Sequence, residues 1–108
     1  MDERLENVTV GTKANVYFDG KVVSRNVFFP DGTRKTLGVI LPGTFEFEVG
    51  DKEIVKIVSG KAEVLLPPDK KEWITVEKDD SFTVVRNSSY QIRCCEIVEY
   101  ICDYIPEA

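Results

Sequence analysis

Glu53 is the residue whose type and setting most invite chemistry. It opens the run Glu53-Ile54-Val55-Lys56-Ile57-Val58-Ser59. Strand alternation puts Glu53, Val55, Ile57 and Ser59 on one face, and Ile54, Lys56 and Val58 on the other. The first face is apolar between its ends and is expected to be buried. A carboxylate at the margin of a buried face must either find a partner or sit at an open rim, because an unpaired buried charge is costly. The chain has no histidine, so the commonest neutral metal ligand and the usual general base are both missing. Cys94 and Cys95 are adjacent. On a strand they point to opposite faces and cannot chelate one ion together. We expect no metal site, and cysteines that serve as small buried hydrophobes.

The elements that must carry Glu53 are short and separated by turns. Thr44 to Leu66 reads as three strands, divided at Val49-Gly50-Asp51-Lys52 and at Ser59-Gly60. Before it come Asn15 to Phe18, Lys21 to Phe29 and Thr33 to Leu41. Asp19-Gly20, a hairpin signal, divides the first two, Pro30-Asp31-Gly32 the next pair, and Pro42-Gly43 ends the third. After it, residues 67–71 form a surface loop. Trp73 to Val76, Ser81 to Val85 and Tyr90 to Glu96 are extended, with polar corners at Lys78-Asp79-Asp80 and Asn87-Ser88-Ser89. Ile97 to Ile105 is rich in β-branched and aromatic residues and reads as a strand, with Val98, Tyr100, Cys102 and Tyr104 inward. Residues 1–13 are polar and read as an N-terminal extension, leaving 14–108 as one domain. So many short strands predict an all-β fold, most specifically a single-domain jelly-roll β-barrel.

A chain of 108 residues has room for one modest core. Its formal net charge of -5 argues against non-specific binding to nucleic acid or to anionic membranes, which want a basic surface. No leading apolar run suggests a signal peptide or a membrane helix. Three cysteines without framework spacing fit a reducing compartment. The expected location is cytoplasmic.

Glu53 and Gly60, with six residues between them, match the end of the first cupin motif. Glu46-Phe47-Glu48 stands where that motif has His-x-His, and Tyr90 where the second motif has its histidine. The chain therefore resembles a cupin without the metal ligands. A longer ordered series sharpens the likeness: YFDGKV from Tyr17 to Val22, Gly38-Val39, Gly43, Glu53, Val58-Ser59-Gly60, Val64 to Pro67, Trp73, Phe82, Asn87 to Tyr90 and Tyr100-Ile101-Cys102. This series resembles the pyrimidine/purine nucleoside phosphorylase family of small one-domain cupins, with Val85 in place of an expected proline.

The resemblance implies phosphorolysis of purine and pyrimidine nucleosides to free base and pentose 1-phosphate. Inorganic phosphate would be the co-substrate, no cofactor would be needed, and the protein would be a homodimer. Phosphate calls for cationic or hydroxyl donors, and the positive charge that develops at C1′ calls for a carboxylate. Arg34 follows a turn into a strand and reads either as a phosphate ligand or as a solvated hairpin charge. Glu53 reads either as the partner of the ribose or C1′, or as an ion-pair partner of Arg34 that closes the rim. Tyr90 stacks on substrate or fills the core. Asn87 and Ser88 are substrate donors or corner caps. Cupin alignment turns Glu46 and Glu48 inward, whereas alternation turns Phe45 and Phe47 inward; we expect the phenylalanines inside, with a dimer interface as the one other place for that face. Arg93 is expected at the surface or in an interface, and Trp73 in packing. A metal-free cupin that binds a sugar or small metabolite without turnover is the alternative function. A structural domain whose barrel is filled by side chains is a third.

Overall fold

The computed structural model describes residues 4–106. Residues 1–3 of the expected extension and 107–108 of the expected domain lie outside the described residues. The strands are β1 (Thr9–Val10), β2 (Asn15–Tyr17), β3 (Val22–Phe28), β4 (Arg34–Ile40), β5 (Gly43–Val49), β6 (Lys52–Ser59), β7 (Lys61–Leu65), β8 (Trp73–Glu77), β9 (Ser81–Val84), β10 (Ser88–Cys94) and β11 (Val98–Ile105). They build two antiparallel sheets. The larger runs β1-β3-β4-β11-β6-β9, with β2 also on β3; the smaller runs β5-β10-β7-β8. The expected all-β jelly roll is therefore present, as two facing sheets that, among the described residues, backbone hydrogen bonds do not join into a closed ring.

Within Thr44–Leu66 the two glycine turns do more than reverse the chain. β5 and β7 belong to the smaller sheet and β6 to the larger, so each turn carries the chain across the core. Val55 and Ile57 of β6 thus face Phe45 of β5 and Val64 of β7, all buried. Each such apolar side chain contributes about 1.5–3 kcal/mol relative to leaving it in water. Alternation holds on both sheets. Val98 and Cys102 are buried and Tyr100 and Tyr104 pack against them. Phe45 is buried and Phe47 half-buried, while Glu46 and Glu48 are exposed.

Several local readings shift. Thr9 and Val10 pair with Phe28 and Val27, so part of the leading segment extends the larger sheet. Ser88 and Ser89, read as a corner, start β10 and pair with Val49 and Glu48. The expected turn at Asp19-Gly20 begins one residue earlier, with Phe18, Asp19 and Gly20 all at positive φ and the Lys21 amide donating to the Phe18 carbonyl at 3.1 Å. On the outside of the smaller sheet, the Arg93 guanidinium lies 3.8 Å from the Trp73 ring centroid, and its Nε donates to Glu63 at 2.9 Å.

Gly60 fixes the second crossing. Its φ is +86°, and a Cβ there would lie 2.4 Å from the Ile97 carbonyl oxygen and 3.0 Å from the Val98 Cα. Backbone atoms cannot step aside as a side-chain tip can. Gly32 has φ +89° but open space around it, so it isolates the conformational cost alone. Gly60→Ala should cost about 2 kcal/mol or more and lower Tm by about 8 °C or more. Gly32→Ala should cost distinctly less. Equal losses in thermal melts would show that the backbone collision at Gly60 is relieved.

Candidate active site

The inward faces of β3, β4, β6 and β11 change character along their length. At one end they are aliphatic: Val22, Ile40, Ile57 and Val98, all buried. At the other they carry Ser24, Asn26, Arg34, Thr36, Tyr100, Cys102, Tyr104 and Glu53, and these line a cavity of about 480 Å³. Register explains the grouping. Asn26 pairs with Thr36, Thr36 with Cys102 and Cys102 with Val55, forming one row. In the next row Tyr104 pairs with Glu53, and the Arg34 guanidinium lies over the Tyr104 ring, 4.2 Å from its centroid. Arg34 on β4 and Glu53 on β6 thus flank Tyr104 on β11. Their backbones are two strand spacings apart, about 10 Å.

Arg34 is exposed at the mouth but oriented. Its Nη1 donates to Asn26 Oδ1 at 3.0 Å. The same oxygen accepts from Asn15 Nδ2 at 3.2 Å, and Asn15 also donates to Ser24 Oγ at 3.2 Å. The Tyr104 hydroxyl lies 3.0 Å from the buried Thr36 Oγ1. Cation–π contact and one hydrogen bond hold the guanidinium plane and leave other donors toward the cavity.

Glu53 is half-buried. The Cys102 thiol donates to its Oε1 at 3.5 Å. Burial pushes the carboxyl above its ordinary range, while the Cys102 contact and the Arg34 charge pull it back. Among the described residues no ion pair joins Arg34 to Glu53. The rim is therefore not closed by a salt bridge, and the two charges face the same space separately. Burial pushes the Cys102 thiol and the Tyr100 and Tyr104 phenols up strongly, so at neutral pH they are neutral groups that can donate. Tyr100 owes its position to Gly38, its register partner. A Cβ at Gly38 would lie 2.2 Å from the Tyr100 Cζ, so the ring lies across the glycine.

The smaller sheet supplies an aromatic wall. Tyr90 is buried, stacked on Phe47 at 5.6 Å with an interplanar angle of 22°, and in edge contact with Phe82 at 5.7 Å. Burial raises its phenol well above the ordinary value. Tyr90 lines the cavity together with Arg34 and Glu53. Asn87 and Ser88 lie elsewhere. They line a separate open depression with Glu48, Val49, Pro67, Lys70 and Ser89. There the Ser88 hydroxyl donates to the Val85 carbonyl at 2.6 Å, and the Asn87 amide to that of Gly50 at 2.8 Å.

Asn15, Ser24, Asn26, Thr36 and Tyr104 complete the site and were not singled out from the sequence. A signal was there. Ser24-x-Asn26 and Arg34-x-Thr36 place polar residues at the same inward parity as Val22 and Ile40 of their strands. Phe18 was missed as well. Its φ of +53° is unfavourable for an aromatic residue by roughly 1–2 kcal/mol, yet its ring packs on Phe45 at 5.0 Å and Phe47 at 5.4 Å.

Metal ligation, which the cupin fold commonly supports, does not fit these residues. Glu46 and Glu48, at the His-x-His positions, reach the cavity edge but are exposed beside inward phenylalanines. No three Cys, Asp or Glu side chains among the described residues cluster to hold an ion, and a buried, neutral Tyr90 stands at the second-motif position. Glu53 meets a protonated thiol rather than a second carboxylate.

Fold and site together define a cupin-like barrel whose cavity carries a guanidinium, carboxylates, hydroxyls and aromatic rings. A cupin-2 domain from Rhodospirillum rubrum shares this fold, with a TM-score of 0.67 at 17% identity, covering 100% of this chain and 77% of that one. A protein of unknown function from an Acinetobacter species superposes with a TM-score of 0.91 at 39% identity, covering 94% and 98% of the two chains. The pyrimidine/purine nucleoside phosphorylase family model matches residues 12–104. A Wolinella succinogenes protein named pyrimidine/purine nucleoside phosphorylase is 48% identical over 105 residues, 97% of this chain and 99% of that protein. The chain belongs to this family.

The raised carboxyl of Glu53 has a consequence for stability. A carboxyl whose folded pKa exceeds its unfolded value of 4.5 favours the fold in its protonated form. That advantage is complete below the unfolded value and lost as pH rises through the folded one. Glu53→Gln removes the cost of the buried charge. The variant should melt at or above wild type at neutral pH, with the gap narrowing as pH falls toward 4.5. A lower Tm at neutral pH would make Glu53 a net structural support.

Proposed function

We propose that this chain cleaves purine and pyrimidine nucleosides with inorganic phosphate, releasing free base and pentose 1-phosphate. The observation that carries the reading is the placement of Arg34 and Glu53. They line one cavity from opposite sides of Tyr104, with no ion pair between them. The name of the Wolinella succinogenes relative supports the same reading.

In this mechanism Arg34, steadied by Asn26 and Tyr104, binds phosphate through its remaining donors. Glu53 accepts from the sugar hydroxyls and, ionised, stabilises the positive charge that develops at C1′. A phosphate oxygen forms the new bond to C1′ as the glycosidic C1′–N bond breaks. The base nitrogen keeps the bonding electrons and takes a proton, balanced overall by the one that phosphate gives up on becoming the sugar ester. Inorganic phosphate is the co-substrate, and no organic cofactor or metal enters any step.

The working form is a homodimer in a reducing, cytoplasmic compartment. Three free cysteines, one of them exposed, support the compartment. The dimer rests on the outer face of the larger sheet. There Val23, Leu37, Val39, Val58 and Ile101 line an apolar groove of about 600 Å³, rimmed by Arg25, Lys56, Asp79 and Glu99. Leu37 and Val39 are 41% and 37% exposed. Leu5 and Val10 of the leading segment flank the groove, and Lys56 and Asp79 of its rim pair with each other at 4.0 Å. The apolar floor is therefore the contact surface, and a second copy presenting the same face about a two-fold axis is the proposed occupant. The Phe45 and Phe47 face, which alternation alone left open for such a contact, points inward.

Arg34→Ala should raise the KM for phosphate more than the KM for nucleoside. Glu53→Gln should lower kcat and kcat/KM together, roughly 10²-fold, the scale of losing one oriented transition-state interaction. The acid limb of wild-type kcat/KM should lie above the ordinary carboxylate range. In Arg34→Ala it should move to higher pH, because the lost positive charge had favoured the carboxylate. A folded Glu53→Gln enzyme with full turnover contradicts the assignment.

Light scattering should give twice the 12.2 kDa chain mass, and Leu37→Asp should return a folded monomer. A wild-type monomer at working concentration contradicts the dimer.

A further inference from the structure

The turn between β2 and β3 holds a feature that the chemistry at Arg34 and Glu53 does not use and that packing on Phe45 and Phe47 alone does not require to be so exposed. Tyr17 and Phe18 are 47% and 42% exposed, yet both line the cavity. Phe18 also occupies a left-handed backbone conformation that glycine or asparagine adopts at less cost. Exposure and backbone strain fall on the same residue. The turn does not require a ring there, because its closing hydrogen bond uses the Phe18 backbone carbonyl alone.

What the strained backbone achieves is an aim. The Phe18 ring meets Phe47 at 5.4 Å and 85°, and the Tyr17 ring meets it at 6.5 Å and 77°. Two exposed rings thus stand nearly perpendicular to a third. Phe47 is itself fixed by stacking on the buried Tyr90, which Phe82 backs. The result is a corner whose inner side is rigid and whose outer side is open. A flat heterocycle laid against one ring face meets the edge of another, the two arrangements aromatic rings prefer. Phe47 belongs to the smaller sheet, and Tyr17 to the same larger sheet as Arg34 and Glu53; the corner and those two charges line one cavity.

We propose that Tyr17 and Phe18, against Phe47, form the nucleobase subsite, and that they hold the base by stacking rather than by reading its hydrogen-bonding edge. This rests on the phosphorolytic reading and deepens it. Stacking accepts any base, since every base has a π face. A pocket built to hydrogen-bond one edge rejects analogues that lack the matching group. Tolerance of both purines and pyrimidines then follows from the wall, while the ends that react are fixed by Arg34 and Glu53. Tyr17 and Phe18 are positioning residues for the base and touch neither phosphate nor C1′.

The test is a set of steady-state measurements on the full chain, with adenosine and uridine each titrated at saturating phosphate, and phosphate titrated at saturating nucleoside. Phe18→Leu keeps an apolar side chain on Phe45 and Phe47 but removes the ring face. It should raise the KM for both nucleosides on the order of tenfold, the scale of one base–aromatic stack. The KM for phosphate should stay within about twofold, a change too small to represent a lost contact. Tyr17→Leu should act in the same direction, and Phe18→Tyr, which keeps the ring, should restore the wild-type nucleoside KM. Unchanged nucleoside KM values in both leucine variants, or an equal rise in the phosphate KM, overturns the subsite. A wild-type protein that releases no base with phosphate present overturns the phosphorolytic reading instead, so the two failures are distinguishable.

Discussion

A half-buried carboxylate sets the terms for the rest of this structure. Glu53 stands at the head of a strand face that continues with Val55 and Ile57, and burial raises its pKa. Its surroundings keep that cost tolerable without neutralising it. The Cys102 thiol donates to it, the Arg34 charge acts across the cavity, and Tyr104 stands between the two. A direct salt bridge would stabilise Glu53 more, but it would occupy the space a substrate needs. Unpaired opposite charges facing one cavity are the arrangement expected where binding, rather than packing, has shaped the residues.

The barrel supports this by separating tasks along its length. One end of the larger sheet is filled with valine and isoleucine, and the other end with hydroxyls, amides and phenols. The polar end survives inside the fold because its groups satisfy one another. Among the described residues no buried side-chain nitrogen or oxygen lacks a hydrogen-bond partner. Two glycines make the geometry possible from opposite sides. Gly60 lets the chain cross between sheets against the backbone at Ile97, and Gly38 yields its side-chain space to the Tyr100 ring.

Much of this was legible in the sequence, and the failures have physical causes. Strand parity placed Val55, Ile57, Val98 and Cys102 inside, and it resolved the conflict over Phe45 and Glu46 in favour of the phenylalanine. Turn residues marked nearly every strand boundary. What local signals do not carry is which sheet a strand joins. Gly50 and Gly60 read as turns and are crossings, because their partners are set by long-range pairing. Asn87 and Ser88 closely precede Tyr90 in sequence, yet they line a neighbouring depression that shares Glu48 with the cavity, and the Ser88 hydroxyl caps the corner at Val85. The left-handed Phe18 was invisible because Asp19-Gly20 already accounted for a turn.

The central claim is that one cavity brings phosphate at Arg34 and a sugar at Glu53 together for a single displacement at C1′. Phosphorus NMR of a reaction containing nucleoside and inorganic phosphate tests this most directly, with released base measured in the same sample. The account predicts a pentose 1-phosphate resonance that grows in equal amount with free base, and no base release when phosphate is left out. Base released with free pentose, at a rate indifferent to phosphate, would contradict it.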